Sequence, residues 1–498
     1  MQKSRFRNII PGLREWTEGS GVFTIGSDAC ICVDPLFSSQ LTSTAKAFQK
    51  DIKLTNGRVL QVVHTTNPSA GDFYLTLDCA ESKIGSEGYL LQISSHAAIR
   101  ANSDDGIFYG TQTILQLLKQ DSEKSNIPAG SVRDYPAYPF RGLMIDVARK
   151  FMPVSYLKGY IRLCTWHKMN IFHIHFSDDS AFRLVSDTYP GLAPEIDSYT
   201  KSDIQVLVEF ADQYHITIVP EIDIPSHASA MLRYCPELRH ADEPLKSLGL
   251  LNLGPKYEDS KNFVINLINE FAPCFPGPYF HIGADEYPHL DGQTDYAKLE
   301  QCKELVDWAA STTWHKHGNT YPGAMYRRFL NDINIAVRNT GKTARMWDWY
   351  ASISGSSDVS VDSNIAVDQW RSYKLASITV NANHDIVNCG LDMLYVVPGD
   401  TSDLWLADHE WLYSQWAPWK FDKYDKNILS PTDPHLKGAK LQVWLNNDEP
   451  SFETIDNEAK PSLLIVADRV WGGPLLVGGY CEFQTLANII GEPPMNNG

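Results

Sequence analysis

Asp285 and Glu286 stand side by side at the end of a short apolar run, Pro278-Tyr-Phe-His-Ile-Gly-Ala-Asp285-Glu286-Tyr287. Buried strands of α/β proteins are continuously apolar, so two acids closing one are out of place in a core. Adjacent carboxylates repel, which favours protonation of one and leaves the other ionised. A general acid working beside a charge stabiliser needs that split. The same pair would also suit the first turn of a helix, where acids are common.

The elements that position these acids can be read outward from them. Between Arg141 and the C-terminus the pattern repeats strand, loop, helix. Strands are expected at Leu143–Val147, Ile171–Phe176, Ile216–Val219, Tyr279–Gly283, Ala344–Trp347, Ile365–Trp370, Asp385–Cys389 and Lys440–Trp444. Helices with i, i+3, i+4, i+7 apolar spacing are expected at 157–164, 204–211, 264–271 and 323–338. Ser155 is a candidate cap for the first, and Thr200-Lys-Ser-Asp203 a capping box for the second. Eight strands with interspersed helices give an α/β fold, a (β/α)₈ TIM barrel, over 136–498. Residues 287–320 and 399–438 are long for barrel loops and are expected to wall the cleft.

Ahead of the barrel, residues 8–135 read as a small α+β support domain. Its strands are expected at Val22–Ile25, Phe73–Leu77 and Tyr89–Ile93, the last an edge or half-buried strand. A mostly buried helix is expected over 106–118. The turn-rich Asp134-Tyr-Pro-Ala-Tyr-Pro-Phe140 marks the boundary.

Every expected barrel strand is followed by a polar or aromatic residue able to serve a site: Arg149, Asp178 with Asp179, Asp223 with His227, Asp285 with Glu286, Trp347, Trp370, Tyr395 and Trp444. Barrel enzymes draw their groups from several strand ends, so the recurrence matters more than any one residue. A rival reading is a metal hydrolase using His173 and His175, two imidazoles on one strand face, with His227 as third ligand. It leaves the Asp285–Glu286 pair without a role. Burial with hydrogen bonding is the simpler account of the two histidines.

Composition narrows the partners. The 498 residues are 43% apolar and 21% charged, in the range of globular proteins, and the net charge of −17 disfavours nucleic acid and anionic membranes. Thirteen Trp and 23 Tyr could line a glycan cleft, though most must serve core packing. Nine scattered cysteines, with no C-x-x-C pair, suggest neither a disulfide scaffold nor a structural zinc motif. The basic start lacks an apolar signal core, and no run is long enough to span a bilayer. A cytoplasmic protein or a mature secreted form is expected, and the oligomeric state is open.

These motifs together resemble the β-N-acetylhexosaminidases of glycoside hydrolase family 20. The resemblance rests on His281-Ile-Gly-Ala-Asp285-Glu286, Arg141-Gly-Leu-Met-Ile-Asp146-Val-Ala-Arg149, His173-Ile-His-Phe-Ser-Asp178-Asp179 and Pro220-Glu-Ile-Asp-Ile-Pro-Ser-His227. Gly106-Ile-Phe-Tyr-Gly-Thr-Gln matches the companion domain that precedes such barrels. It implies Glu286 as general acid and base, with the sugar's own 2-acetamido oxygen as nucleophile. Asp285 would orient that group and stabilise the oxazolinium charge, Tyr395 would donate to its oxygen, and Asp178 with His227 would tune Glu286. Arg149 would grip ring hydroxyls, Arg141 would be structural at the barrel bottom, and Trp347, Trp370 and Trp444 would box the acetamido methyl and apolar sugar face. No cofactor or metal is implied, and the partner is a β-N-acetylhexosaminide oligosaccharide or glycoconjugate.

Three departures from the family pattern matter: Ser180-Ala-Phe182 after the aspartate pair, Val397 two residues past the tyrosine, and Asn446 where an acid is usual. The last two positions normally contact outer hydroxyls of the terminal sugar, which suggests a less selective pocket. Ala181-Phe-Arg-Leu and Tyr189-Pro-Gly-Leu192 are similar to lacto-N-biosidases, relatives that release Gal-β-1,3-GlcNAc, and that is the alternative substrate. A non-catalytic glycan-binding protein is the alternative of another class, disfavoured because binding alone has no use for a buried acid pair. Tighter binding of an oxazoline mimic than of free sugar separates the two.

Overall fold

The computed structural model describes residues 5–287, 289–290, 293–294, 302–313, 321–349, 359–400, 408–445 and 450–495. Eight parallel strands close into a barrel: Phe140–Asp146, Ile171–His175, Thr217–Ile224, Tyr279–Gly283, Thr343–Trp347, Ala366–Gln369, Ile386–Asn388 and Leu436–Val443. Each pairs with the next, and the eighth returns to the first through Gly438–Phe140 to Val443–Ile145. The first strand is buried along its whole length. That is why its sequence is apolar between Arg141 and Asp146 rather than alternating.

The outer helices form where the apolar stripe demands them. Helix Lys201–Gln213 opens with the Thr200–Asp203 capping box and buries Ile204, Leu207 and Ala211. Helices Tyr257–Phe271 and Tyr321–Asn339 bury the expected faces, Val264, Leu267, Ile268 and Phe271 in one, Tyr326, Phe329, Leu330, Ile333 and Val337 in the other. Helix Val154–Trp166 corrects one expectation: Pro153 is its N-cap residue, with no side-chain cap, and Ser155 lies inside. Proline there fixes a helix-compatible φ without wasting a donor. Part of the expected wall 287–320 is helical, at Lys303–Ser311, and much of the rest lies outside the described residues.

The small domain is a seven-stranded mixed sheet. Its strands are β1 (Glu15–Thr24), β2 (Cys30–Val33), β3 (Gln61–His64), β4 (Phe73–Thr76), β5 (Tyr89–Ile93), β6 (Ala97–Ala101) and β7 (Asn126–Asp134), in the order β1-β7-β5-β6-β4-β2-β3. β5 is interior to the sheet rather than at its edge, and alternates with Tyr89, Leu91 and Ile93 buried. Two helices cover one face, α1 (Ser38–Asn56) and α2 (Asp104–Lys119). The sequence reading missed α1, although Leu41, Ala45, Phe48 and Ile52 mark its buried stripe.

Buried charges join this domain to the barrel bottom. Arg141 Nη1 and Nη2 donate to Glu87 Oε2 and Oε1 at 2.9 and 2.5 Å. Lys168 donates to Asp134 at 2.7 Å, and Tyr89 and the Trp471 indole donate to the same carboxylate at 2.7 and 2.9 Å. Among the described residues no helix is long and apolar enough to cross a membrane.

Candidate active site

The fourth strand ends in a backbone turn that few sequences could make. Gly283 has φ +64°, and a Cβ there would lie 1.7 Å from Asp223 Oδ1, so only glycine fits. Ala284 and Glu286 also take left-handed φ values, 72° and 55°. Such conformations cost roughly 1–3 kcal/mol each for non-glycine residues and persist where the surroundings impose them. Here Ala284 N–H donates to Ile224 O at 2.9 Å, Ser226 Oγ donates to Asp285 O at 2.6 Å, and the Tyr326 hydroxyl donates to Ala284 O. The turn presents Asp285 and Glu286 at the cleft with 14% and 24% of their side chains exposed.

His227, itself left-handed at φ 50°, bridges the acids to the neighbouring loop. Its Nε2 lies 3.1 Å from Glu286 Oε2 and 3.8 Å from Asp285 Oδ2. Its Nδ1 lies 3.5 Å from Asp179 Oδ2 and 4.0 Å from Asp178 Oδ2. Burial disfavours its cation, but the bonds to Asp179 and Glu286 and the charges of Asp178 and Asp285 win and raise its pKa well above the ordinary value. Glu286, and at longer range Asp285, thus face the same imidazole nitrogen.

Asp178 is turned mainly the other way. Its Oδ2 sits 2.7 Å from Arg149 Nη2 and 3.1 Å from His175 Nε2. Burial pushes its pKa up, yet the His175 bond and the charges of His227 and Arg149 hold it below the usual carboxylate range. Arg149 is anchored by Asp146 at 2.7 Å and lies 5.2 Å from the Trp444 ring centroid. The expected Asp178–His227 pairing is therefore looser than the Asp179–His227 contact.

Beneath these residues lies a group the sequence reading passed over. Glu221 is fully buried inside the barrel. Its Oε2 is 2.7 Å from His175 Nδ1 and 2.9 Å from His173 Nε2. Its Oε1 accepts from the Trp347 indole at 2.7 Å and is 3.2 Å from His281 Nδ1. Burial opposes its charge, but His175 and the other imidazoles hold it ionised, its pKa well below the ordinary value. The available signal was alternation: Glu221 and Asp223, two apart on one strand, face the same interior.

Asp285 and Asp223 are the unsettled pair. Burial pushes Asp285 up to about 6, opposed by His227 and aided by the charges of Glu286 and Glu221. Burial, then the charge of Asp285, pushes Asp223 well above its ordinary value. Asp285 Oδ1 and Asp223 Oδ1 are both buried and accept no hydrogen bond among the described residues.

The aromatic residues form one wall. Trp347 and Trp444 have ring centroids 5.8 Å apart, Tyr395 and Trp444 6.0 Å, and Trp370 stacks on Tyr395 at 6.4 Å and 22°. Trp349, which the sequence reading did not single out, stacks on the far side of Trp370 at 6.0 Å and 4°. Tyr395 comes from a two-residue strand, Tyr395–Val396, paired with the eighth strand after the one-turn helix Leu391–Leu394. Burial raises its phenol pKa well above 10, so it is a neutral donor. Asn446 lies outside the described residues.

The metal reading finds no common centre for its three histidines. His173 faces the Lys440 ammonium at 2.7 Å, and that ammonium also donates to Asp368 at 2.6 Å, so a lysine already supplies the positive charge there. His175 is taken by Glu221 and Asp178, and His227 by the acid pair. Near the cleft, Asp178–Asp179–His227 and Asp223–His227–Asp285 each bring three donor atoms within 4.8 Å. In the first of these Asp178 already pairs with Arg149 and His175.

A parallel barrel with an acid pair and aromatic wall at its carboxyl end has the arrangement in which (β/α)₈ enzymes gather their active-site groups. The sequence profile "Glycosyl hydrolase family 20, catalytic domain" matches residues 138–474, and "Glycosyl hydrolase family 20, domain 2" matches 7–135. The chain belongs to glycosyl hydrolase family 20. Among curated relatives, a β-hexosaminidase of Porphyromonas gingivalis is 28% identical over 96% of this chain and 62% of its own length. A lacto-N-biosidase of Bifidobacterium bifidum is 24% identical over 97% of this chain, which spans 41% of it. A β-hexosaminidase subunit A1 of Dictyostelium discoideum is 30% identical over 77% of this chain and 69% of its own length. The chain thus spans less than two thirds of the first two relatives, 62% and 41% of their lengths. Among solved structures, a GH20 exo β-N-acetylglucosaminidase of Vibrio harveyi superposes with a TM-score of 0.78 at 21% identity, covering 99% of this chain and 79% of that one. A GH20 β-N-acetylhexosaminidase of Streptomyces coelicolor A3(2) gives 0.76 at 24% identity, covering 97% and 96%.

Proposed function

We propose that the protein is a retaining β-N-acetylhexosaminidase that removes terminal non-reducing GlcNAc or GalNAc from oligosaccharides or glycoconjugates through an oxazolinium intermediate. The observation that carries this is the buried Asp285 Oδ1, without a hydrogen bond among the described residues, beside a Glu286 that shares His227 with it. Two carboxylates working on opposite faces of a sugar must stand apart across the scissile bond. Two that converge on one imidazole nitrogen cannot bracket the ring, so the nucleophile must come from the substrate.

In this reading the acetamido N–H supplies the donor that Asp285 Oδ1 lacks. The aspartate then orients the amide and stabilises the positive charge as the carbonyl oxygen closes on the anomeric carbon. Glu286 gives its proton to the leaving oxygen and then takes one from water. The imidazolium of His227, backed by Asp179 and Asp178, keeps the glutamate placed and sets its proton affinity. Tyr395 donates to the acetamido oxygen, Arg149 holds ring hydroxyls, and Trp347, Trp370 and Trp444 enclose the methyl and the apolar sugar face. Asn446 is assigned to the outer hydroxyls on sequence alone. Residues 136–498 carry the chemistry and 8–135 buttress the barrel bottom.

A second reading is favoured by the B. bifidum relative, which aligns with 97% of this chain: release of intact Gal-β-1,3-GlcNAc by the same mechanism. Val397, buried two residues past Tyr395, leaves no polar group there for an outer hydroxyl. The test compares aryl β-N-acetylglucosaminide, aryl lacto-N-bioside and aryl β-glucoside. The hexosaminidase reading expects fast release from the first only. Intact disaccharide with an inert monosaccharide donor selects the second reading, and equal cleavage of the 2-hydroxyl glycoside removes substrate assistance altogether.

A further inference from the structure

His240 lies in the loop that leaves the third barrel strand and is 1% exposed. Among the described residues neither of its ring nitrogens has a hydrogen-bond partner. A buried imidazole with no short hydrogen bond forfeits roughly 1–3 kcal/mol per polar atom, and only the longer-range charge of Glu304 offsets this, so the site has room for an electron-pair acceptor. Two further ligand-type side chains face it. Cys302 is fully buried, and Glu304 Oε2 stands 3.7 Å from His240 Nδ1, beyond hydrogen-bond reach. One donor atom from each of the three lies within 4.8 Å of the others.

We propose that His240, Cys302 and Glu304 bind a divalent cation of the zinc class that staples the loop after the third strand to the helix after the fourth. The donor set is one imidazole nitrogen, one thiol and one carboxylate, which suits zinc or cobalt and not calcium or magnesium, whose sites are built of oxygen. Tetrahedral zinc with bonds of 2.0–2.3 Å places its ligand atoms roughly 3.3–3.7 Å apart. The 3.7 Å His240–Glu304 separation is close to that spacing, and the remaining edges, within 4.8 Å, need to close by up to about 1.3 Å.

The surroundings hold the carboxylate as such sites require. Glu304 Oε2 accepts from Ala241 N–H at 2.7 Å and Oε1 from Asn252 Nδ2 at 3.0 Å, while Glu304 N–H donates to Asp242 at 2.8 Å. The position gives the staple a purpose. In the first segment Ala228 N–H donates to Gly249 O and Leu251 N–H to Pro225 O, so the chain around His240 folds back beside His227. A Cβ on Gly249 would meet Asp179 Oδ1 at 2.2 Å, which shows how closely that return packs on the carboxylate next to His227. The second segment, helix Lys303–Ser311, follows the strand that ends in Asp285 and Glu286. A metal here ties together the two loops that carry the acid–imidazole cluster without entering it, and the inference does not depend on which glycoside is cleaved.

The test uses the full chain, purified with reductant and freed of metal, titrated with Co²⁺ and Zn²⁺. One equivalent of cobalt with a thiolate-to-cobalt charge-transfer band is expected, together with a rise in Tm on adding zinc. Cys302→Ser should abolish the band, and Cys302→Ser and His240→Gln should each weaken binding at least about 100-fold, since even outer-shell partners cost 10–100-fold. If either variant fails to fold, the wild-type cobalt spectrum decides alone. Binding without a thiolate band, binding unchanged in the double variant, or no stoichiometric binding by the wild type overturns the proposal.

Discussion

The two ends of the barrel treat buried charge in opposite ways. At the bottom, Arg141 is met by both oxygens of Glu87, and Asp134 receives Lys168, Tyr89 and the Trp471 indole together. At the top, Asp285 and Asp223 keep buried oxygens that bond nothing among the described residues, and the chain beside them runs through left-handed φ values at Gly283, Ala284 and Glu286. A satisfied buried network rigidifies, whereas an unsatisfied one is destabilising unless a ligand completes it. The bottom holds the small domain, and in the proposed mechanism the top receives an N–H donor.

Breaking the comparison at its functional end gives the largest effect. Glu286→Gln should lower kcat/KM on the preferred aryl glycoside by about 10³–10⁴-fold, the upper range for loss of a general acid and base, with an unchanged circular dichroism spectrum. At the structural end, Lys168→Met leaves Asp134 short of its cation. About 3 kcal/mol of unfolding free energy should disappear in urea titrations, while kcat of the folded fraction stays put. If the bottom substitution lowered kcat as much as the top one, the division of labour between the two ends would be wrong.

Glu221→Gln probes the join between them. The chain of contacts from Trp347 through Glu221 and His175 to Asp178 and Arg149 couples the aromatic wall to the arginine proposed to hold sugar hydroxyls. Removing the central charge should cost about 10–100-fold in kcat/KM, as outer-shell partners of a site do. The loss should fall mostly on KM, because in the proposed mechanism Trp347 and Arg149 bind the sugar without taking part in proton transfer. A loss confined to kcat would place Glu221 nearer the reacting atoms than its burial allows.

The legible parts of the sequence were those where one physical rule acted alone. The eight strands were readable because parallel barrel strands, buried on both faces, need uninterrupted apolar runs. The Asp285–Glu286 pair was readable because nothing in a core explains it. Helix α1 was missed although its stripe was present, since serine, glutamine and lysine make up its exposed side, and the buried Thr44 and Thr55 dilute the apolar stripe. Glu221 was passed over because a lone acid in a strand carries no local sign that four partners from three other strands will meet it. Likewise His240, Cys302 and Glu304 have no motif spacing, and only the folded loops bring them together. The preference of His227 for Asp179 over Asp178 turns on half an ångström, a difference that residue type does not encode.

The smallest effect tests the unsettled top most directly. Asp285 has an ordinary carboxyl pKa of 3.8, pushed up to about 6 in the folded chain. Between those two values the folded chain binds a proton that the unfolded chain has released, so stability falls as pH rises through that window and stays lower above it. At about 1.4 kcal/mol per pKa unit the penalty is at most about 3 kcal/mol, and about 1–2 kcal/mol after sharing with the neighbouring Asp223. Asp285→Asn, which mimics the protonated form, should therefore be more stable than the parent by about that much at pH 7.5 and no more stable at pH 4, as read from urea midpoints. The parent's kcat/KM should decline below about pH 6 as Asp285 takes up its proton. In the variant the residual activity should lose that limb. A variant that is less stable at pH 7.5 would mean that Asp285 is already satisfied in the free enzyme, and the contrast between the two ends of the barrel would collapse.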